Sequence, residues 1–150
     1  MIEVRFPEPH FRMKKEGGKD YIFDAIRKSW ILLTEEEWVR QNFVNYLVSV
    51  LHYPATLIAL EKELVLNGLK KRFDVLIYNA AHQPWMLIEC KAPTVSLGES
   101  VLQQALRYTM TVPVSYVVIT NGSYTIGWKK EGGALKEIHA LPSAPGTTAD

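Results

Sequence analysis

Three residues in the middle of the chain could do chemistry together: Asp74 in the stretch RFDVLIY, and Glu89 and Lys91 in the stretch LIECKAP. Both stretches predict buried strands, because apolar residues dominate them. Side chains alternate along a strand, so Glu89 and Lys91 share one face while Cys90 points to the other. A carboxylate and an ammonium at the end of a buried strand indicate either a functional site or a solvated salt bridge.

The loop between these strands, NAAHQP, decides which residues face each other. A symmetric turn centred between Ala81 and His82 places Asp74 directly opposite Glu89. Opposed side chains have Cβ atoms roughly 4.5 to 5.5 Å apart, and like charges so placed destabilise a sheet. Two adjacent carboxylates therefore predict a bound cation.

The expected cation is Mg²⁺ or Mn²⁺, because both prefer oxygen ligands and bind through one or two carboxylates plus substrate phosphate. Lys91 would lie beside the metal-bound water, where its ammonium could orient that water or stabilise a pentacovalent phosphate. Glu63, on the preceding strand, is the preferred additional metal ligand. A solvated charge at a sheet edge is nevertheless the commoner role for Glu63 and for Glu61, which shares its face.

Other polar residues have simpler explanations. A basic run at residues 70–72 precedes Asp74, and Lys71 and Arg72 could contact a DNA backbone or merely be solvated. Cys90 is expected in the core as a small hydrophobe and not as a nucleophile. The four histidines are scattered and predict no metal site.

Regular elements must hold these residues in place. Thr34 and Glu37 form a capping box, and apolar residues then recur at helical spacing until Pro54 stops the run. The cap explains Glu37, and Arg40 is expected to face solvent. Residues 56–90 predict three sequential antiparallel strands, which carry the three reactive side chains.

The remaining elements complete an α/β fold. Residues 96–111 predict a helix, VSYVVITNG predicts a strand, and a hairpin turns at Gly132 and Gly133. A strand, a helix and another strand normally leave the two strands parallel, joined by a right-handed crossover. The sheet is therefore expected to be mixed and flanked by helices.

The chain ends and the composition predict one small domain over residues 1–150. Residues 1–20 are interpreted as an extended arm, residues 21–30 as a short helix, and residues 141–150 as a loose tail. The chain is 47% hydrophobic with a net charge of +1, so its overall charge does not predict binding to a polyanion or a membrane. One cysteine excludes an intramolecular disulfide, and no run resembles a signal peptide or a transmembrane helix. A soluble, cytoplasmic protein is expected.

Asp74 on one strand and Glu89-Cys90-Lys91 at the end of the next resemble the signature of the PD-(D/E)XK nucleases. The helical Gln104-Ala-Leu-Arg-Tyr108 is similar to the Gln-x-x-x-Tyr motif of type I restriction enzyme R subunits. The sequence segments ECKAP, QALRY and VVITNG also resemble segments of their N-terminal nuclease domain, and the resemblance covers about residues 34–128. One departure is Phe73, which stands where the nuclease signature has proline.

The resemblance implies a restriction-endonuclease-like fold and an endonuclease acting on DNA. It implies a divalent metal held by Asp74, Glu89 and the carbonyl of Cys90, with Lys91 as the catalytic lysine. Gln104 and Tyr108, one helical turn apart, would help to position the DNA or the active site. R subunits carry a helicase motor after this domain, so ATP-driven translocation is not expected of this polypeptide alone.

Three alternatives stay open. A nuclease fold without catalysis would be a DNA- or protein-binding module, which needs a partner subunit or a second copy of the chain. A double-strand cut by one site per chain also implies a dimer. The same metal site could cleave RNA, whereas a glycosidase carboxylate pair leaves Lys91 unexplained.

Overall fold

The computed structural model describes residues 1–146, except for the side chain of Tyr108. Residues 147–150, the end of the predicted tail, lie outside the described residues. The elements in chain order are β1 (Met13–Glu16), β2 (Lys19–Asp24), β3 (Ser29–Leu32), α1 (Glu35–Ser49), a 3₁₀ turn (Ala55–Leu57), β4 (Ile58–Leu66), β5 (Leu69–Tyr78), β6 (Pro84–Cys90), α2 (Glu99–Thr109), β7 (Tyr116–Thr120), β8 (Thr125–Glu131) and β9 (Ala134–Ile138).

The larger sheet has six strands in the order β4-β5-β6-β7-β8-β9. Neighbouring strands are antiparallel except for β6 and β7, which run parallel and are connected in sequence through α2. The predicted mixed sheet, with an antiparallel meander and a parallel strand added after a helix, is therefore confirmed. This topology is that of a restriction-endonuclease-like α/β fold.

Apolar side chains on the two faces of the six-stranded sheet form two clusters. One cluster packs Phe43 and Leu47 of α1 against the sheet, and both side chains are fully buried. The other packs Ala105 of α2 against residues such as Leu76 and Ile119. Each fully buried aliphatic side chain contributes about 1.5–3 kcal/mol, so the sheet that carries the reactive residues is rigid.

The N-terminal segment differs from the prediction. Residues 21–30 do not form a helix, because β2 and β3 pair there with β1 as a three-stranded antiparallel sheet. Asp24 Oδ1 accepts hydrogen bonds from the backbone N–H groups of Ile26 and Arg27, at 2.7 and 2.9 Å. Such an Asx turn reverses the chain after β2 and competes with helix formation. Gly17 and Gly18, both with positive φ, make the preceding turn.

Helix α1 begins at the predicted capping box. Thr34 Oγ1 accepts a hydrogen bond from the Glu37 N–H at 3.0 Å, and Thr34 has an extended backbone. Glu37 does not complete the reciprocal half of the box, because its carboxylate is engaged by arginines. The cap fixes the first turn of α1, the turn that approaches β5. No helix among residues 1–146 is long and apolar enough to cross a membrane.

Removal of the cap hydroxyl should destabilise the protein measurably. Thr34→Ala is expected to lower the free energy of unfolding by about 1 kcal/mol, because one N–H at the start of α1 loses its partner. Thr34→Ser keeps the hydroxyl and should recover most of that loss. Urea denaturation followed by circular dichroism measures both, and equal midpoints for all three proteins would contradict this account of the cap.

Candidate active site

The register of β5 against β6 is the predicted one. Val75 pairs with Ile88, as the predicted register requires, and this pair directly precedes Asp74 and Glu89 in the hairpin. The Cys90 N–H donates a hydrogen bond to Asp74 Oδ2 at 2.8 Å, so the carboxylate is anchored to the neighbouring strand. A β-bulge near the loop shifts the register only beyond this point. The hairpin thus brings the two acids to one place on the sheet.

The alternation of side chains is interrupted where β4 and β5 meet at Glu61 and Asp74. Phe73 packs in the cluster facing α2, whereas Val75, two residues later, packs in the cluster facing α1. Residues two apart normally share a face. Glu61, on the opposite strand, has φ of 52°, in the left-handed region. This local reversal lets Asp74 approach α1, where Arg40 Nη1 lies 3.8 Å from Asp74 Oδ1.

Lys91 and Glu89 form an ion pair beside an open cavity. Lys91 Nζ lies 3.4 Å from Glu89 Oε1, and each side chain is 31% exposed. The cavity has a volume of about 520 Å³, and Glu36, Arg72 and Gln104 also line it. Both charged groups of the pair can therefore reach a molecule in that cavity.

A second, small cleft connects Asp74 to the same region. Asp74 and Glu89 line this cleft together with Arg72 and Thr109. Glu89 and Arg72 line both this cleft and the open cavity. The predicted trio of Asp74, Glu89 and Lys91 thus lines two adjoining spaces.

Asp74 is the acid with a perturbed protonation equilibrium. Burial raises the pKa of its carboxyl from 3.8 to about 6, against the lowering effects of the Cys90 N–H and of Arg40. The negative charges of Glu36 and Glu89 raise this pKa further. A carboxylate that is poorly compensated in its own environment favours a nearby cation.

The donors present suit a hard cation that needs few protein ligands. Within residues 1–146, no group of three or more histidine, cysteine, aspartate or glutamate side chains is arranged to hold a metal ion. Asp74 Oδ2 already accepts from the Cys90 N–H, and its Oδ1 and the Glu89 carboxylate offer further oxygen donors. Mg²⁺ keeps several waters and binds through one or two carboxylates. The two-carboxylate set fits that ion and does not fit a metal that requires a full protein cage.

Arg40 does not face solvent, so that prediction is wrong. Its side chain is 6% exposed, with Nη2 2.5 Å from Glu37 Oε1 and Nη1 2.6 Å from Glu61 Oε1. Burial lowers the pKa of the Arg40 guanidinium, but the hydrogen bonds and charges of Glu37 and Glu61 outweigh burial and hold this pKa above its ordinary value. Arg40 therefore stays charged beside Asp74.

The buried charges continue from Glu37 towards the N-terminal sheet. Burial raises the pKa of Glu37, yet hydrogen bonds from Arg40, Gln41 and Arg27 lower it to about 2. Arg27 donates to Glu37 Oε2 at 2.9 Å and to Asp24 Oδ2 at 2.5 Å, and Gln41 Nε2 donates to both acids. We call these residues, Asp24, Arg27, Glu37, Arg40 and Gln41, the ion network. It connects the end of β2 to the first turns of α1.

The predicted accessory residues fall in different places. Glu63 is exposed and pairs with Arg72 in the β4–β5 ladder, but Glu63 itself lines neither of the two spaces. Lys71 Nζ donates to Thr111 Oγ1 at 3.1 Å. Arg72 is largely exposed and lines both spaces at the site. Arg72 is thus the member of the basic run that adjoins the acids.

The two helical candidates lie on α2. Gln104 is exposed and lines the open cavity with Lys91. Tyr108 lies one turn further along α2, but its side chain is outside the described part of the structure. Cys90 is buried in the cluster facing α1, and burial raises the pKa of its thiol well above the ordinary value. The thiol is therefore a core group, as predicted.

Two acids at the site were not identified from the sequence. Glu36 is exposed in the first turn of α1 and lines the open cavity with Glu89. Its spacing of four residues from Arg40 puts both on one side of α1, a signal that was available. Glu61 was interpreted as a solvated charge, whereas it binds Arg40 and lies 3.9 Å from Arg72. No local pattern indicates a positive φ at a glutamate.

The fold and this site define a nuclease-like domain. A scan of protein families matches residues 35–142 to the type I restriction enzyme R protein N terminus. The chain therefore belongs to that family, and the resemblance drawn from Asp74, Glu89, Lys91, Gln104 and Tyr108 is confirmed at the level of the family. A search of curated proteins finds no match.

The raised pKa of Asp74 predicts a pH-dependent cost of folding. Between about pH 4 and pH 6 the folded protein binds this proton more tightly than the unfolded chain, so stability falls as the pH rises. Above pH 6 the full cost of about 2–3 kcal/mol is present. Asp74→Asn removes it, so in chelator the variant should gain stability over the native protein at pH 7 and little at pH 4.

Urea denaturation at several pH values measures this difference. Asp20→Asn, which removes an exposed aspartate on β2, is the matched control for loss of one negative charge. The free energy of unfolding of Asp20→Asn should differ little from that of the native protein at each pH. An Asp74→Asn variant no more stable than the native protein at pH 7 would refute the cost assigned to this carboxylate.

Loss of Arg40 should be far more damaging than loss of an exposed arginine. Arg40→Gln leaves Glu37 buried without its main partner, and the free energy of unfolding should fall by about 3–5 kcal/mol. Arg5→Gln removes an exposed pair of slightly longer distance, 2.8 Å from Glu3, and should cost less than about 1 kcal/mol. Thermal and urea unfolding compare them, and similar losses for both variants would contradict the role of burial.

Proposed function

We propose that this protein is a divalent-metal-dependent endonuclease that hydrolyses DNA phosphodiester bonds. The observation that carries the proposal is the meeting of Asp74 and Glu89 at one cleft, with Lys91 Nζ 3.4 Å from Glu89 Oε1. Membership of the type I restriction enzyme R protein N-terminal family supports a nuclease and a DNA substrate.

Asp74, Glu89 and the backbone carbonyl of Cys90 would hold Mg²⁺ or Mn²⁺. When bound, such an ion supplies a water of lowered pKa and positive charge for the phosphate oxygens. The Cys90 N–H fixes Asp74 Oδ2, so Oδ1 is the atom of this carboxylate that is directed away from the backbone of β6. Raising the pH above about 6 ionises Asp74 and should strengthen metal binding.

Lys91 would act on the phosphate and the attacking water. Its ammonium forms a 3.4 Å ion pair with Glu89, and both side chains are 31% exposed. Because solvent screens this pair, the pair can open at little cost. The ammonium can then donate to a non-bridging phosphate oxygen, where negative charge grows as the phosphorus becomes pentacovalent. Lys91 is therefore the proposed catalytic lysine.

Residues around the open cavity would position the DNA backbone. Arg72 supplies a cation at the rim, and Gln104 supplies an amide on α2 that faces the same cavity. Contacts of this kind to phosphate fix the register of a nucleic acid without reading its sequence. Lys71 and Tyr108 remain predicted contacts of the same class, and a cytoplasmic location remains part of the proposal.

One active site per chain cuts one strand. A double-strand break would need a second copy or a partner subunit that brings a second site. A supercoiled plasmid that becomes an open circle is therefore the expected first product. Nicking is also the simplest assay, since one chain suffices for it.

Substitution of Lys91 or Asp74 should strongly slow nicking in Mn²⁺ or Mg²⁺. Lys91→Ala should slow nicking about 10²–10³-fold, as expected for loss of a group that stabilises developing charge. Asp74→Asn should reduce both nicking and Mn²⁺ affinity, which titration calorimetry measures independently of cleavage. Lys136→Ala, at an exposed position on β9, is the control and should nick normally.

Equal nicking by the native protein, Asp74→Asn and Lys91→Ala would eliminate the proposal. DNA binding without nicking in either metal would favour the alternative, a non-catalytic module with a nuclease fold. A parallel assay with RNA of the same sequence separates the two nucleic acids as substrates.

A further inference from the structure

The N-terminal sheet carries a face of interleaved aromatic and basic side chains, outside the residues matched by the family. Lys14 pairs with Tyr21 across β1 and β2, and Phe23 pairs with Trp30 across β2 and β3. The Phe23 N–H donates to Arg12 O at 2.9 Å, which extends the same register. By the alternation of strands, these five side chains share one face.

This face is on the solvent side of the sheet. Ile22 and Asp24, which alternate with the aromatic residues of β2, are fully buried at 0% exposure. The rings of Tyr21, Phe23 and Trp30 are partly exposed. The buried face thus packs against the rest of the fold, whereas the aromatic face is accessible to solvent.

Cations lie over these rings. The Arg12 guanidinium is 4.6 Å from the centroid of Phe23 and 5.5 Å from that of Trp30. Lys14 Nζ is 4.7 Å from the centroid of Trp30 and 5.8 Å from that of Tyr21. Each cation is therefore held next to an aromatic surface, with its charge on the outer side of the sheet.

An open cavity of about 470 Å³ lies at one end of this face. Lys14, Lys19, Tyr21 and Trp30 line it, together with Glu16 and Gly17. The face thus carries three cations beside its rings, Arg12, Lys14 and Lys19, and one carboxylate, that of Glu16. The charge of the face is complementary to a polyanion, and its rings are complementary to flat bases.

We propose that this face, formed by Arg12, Lys14, Lys19, Tyr21, Phe23 and Trp30 and called here the N-terminal platform, binds single-stranded DNA. The choice of DNA as the partner rests on the proposed function. Single-strand sites combine a basic track for phosphates with aromatic rings on which bases stack, and stacking is tolerant of sequence. Paired bases are stacked within a duplex, so the rings select unpaired strands.

The platform is fixed relative to the candidate active site. Asp24, on the reverse side of β2, binds Arg27 and Gln41, and both bind Glu37 on α1. Arg40 then connects Glu37 to the neighbourhood of Asp74. A strand held on the platform is therefore held by the same rigid body that carries the acids.

Binding is tested without cleavage, in chelator, by the fluorescence anisotropy of a labelled single-stranded oligothymidylate. Trp30→Leu should weaken binding about tenfold, within the range for loss of one stacked base. Lys14→Gln should weaken binding several-fold and reduce the slope of log affinity against log salt by about 0.7, as expected for one lost phosphate contact.

Lys129→Gln is the matched control. Lys14 Nζ lies 3.0 Å from Glu16 Oε2. Lys129 likewise lies over a ring, 5.9 Å from the centroid of Tyr116, and its Nζ lies 3.8 Å from Glu131 Oε1, but on β8. Its side chain is 45% exposed, against 37% for Lys14. Loss of one positive charge in general would affect both variants alike, whereas the platform predicts an effect of Lys14→Gln alone. Circular dichroism confirms that each variant is folded.

Two results would overturn the platform: unchanged single-strand affinity in Trp30→Leu and Lys14→Gln, or a loss of duplex affinity in Trp30→Leu as large as its loss of single-strand affinity. Asp74→Asn serves to separate this inference from the nuclease. It should keep oligothymidylate affinity while losing nicking. A native protein that binds the single strand through the platform but never nicks would refute the nuclease and leave the platform standing.

Discussion

Burial of the Asp74 carboxylate between β6 and the first turns of α1 is the constraint on which the candidate site depends. Desolvation opposes its charge, and the Cys90 N–H donates a hydrogen bond to it at 2.8 Å. Arg40 could neutralise it, but Arg40 is engaged by Glu61 at 2.6 Å and stays 3.8 Å from Asp74. Glu61 therefore keeps Asp74 under-compensated, the condition under which a carboxylate gains most from a dication.

The same arrangement explains why the folded unit is longer than the matched family region. The match begins at residue 35, yet Asp24 and Arg27 supply buried partners to α1. Without Arg27, Glu37 would lose one of the donors that keep its pKa low. The three-stranded sheet thus supplies charged partners that stabilise the first turns of α1. Its opposite face, the N-terminal platform, makes none of these contacts and can bind a ligand.

Local patterns predicted the parts of the fold that depend on neighbours in sequence. The loop length predicted the register in which Val75 pairs with Ile88, and the strand-helix-strand order predicted the parallel pair β6 and β7. The burial of Arg40 could not be predicted in this way, since its partner Glu61 is 21 residues away. The Asx turn at Asp24 could have been predicted from the sequence, because an aspartate that follows alternating residues commonly ends a strand in a turn.

The two halves of the site differ in how firmly their charges are held. Asp74 is tied to a backbone N–H and adjoins a network in which Arg40 and Glu37 are almost fully buried, so its carboxylate has little freedom. Glu89 and Lys91 are each 31% exposed and 3.4 Å apart, so solvent screens their attraction and separation costs little. A catalytic site needs both properties. The fixed acid defines where a cation can be bound, while the solvated pair can exchange its internal salt bridge for contacts with an incoming ion and phosphate.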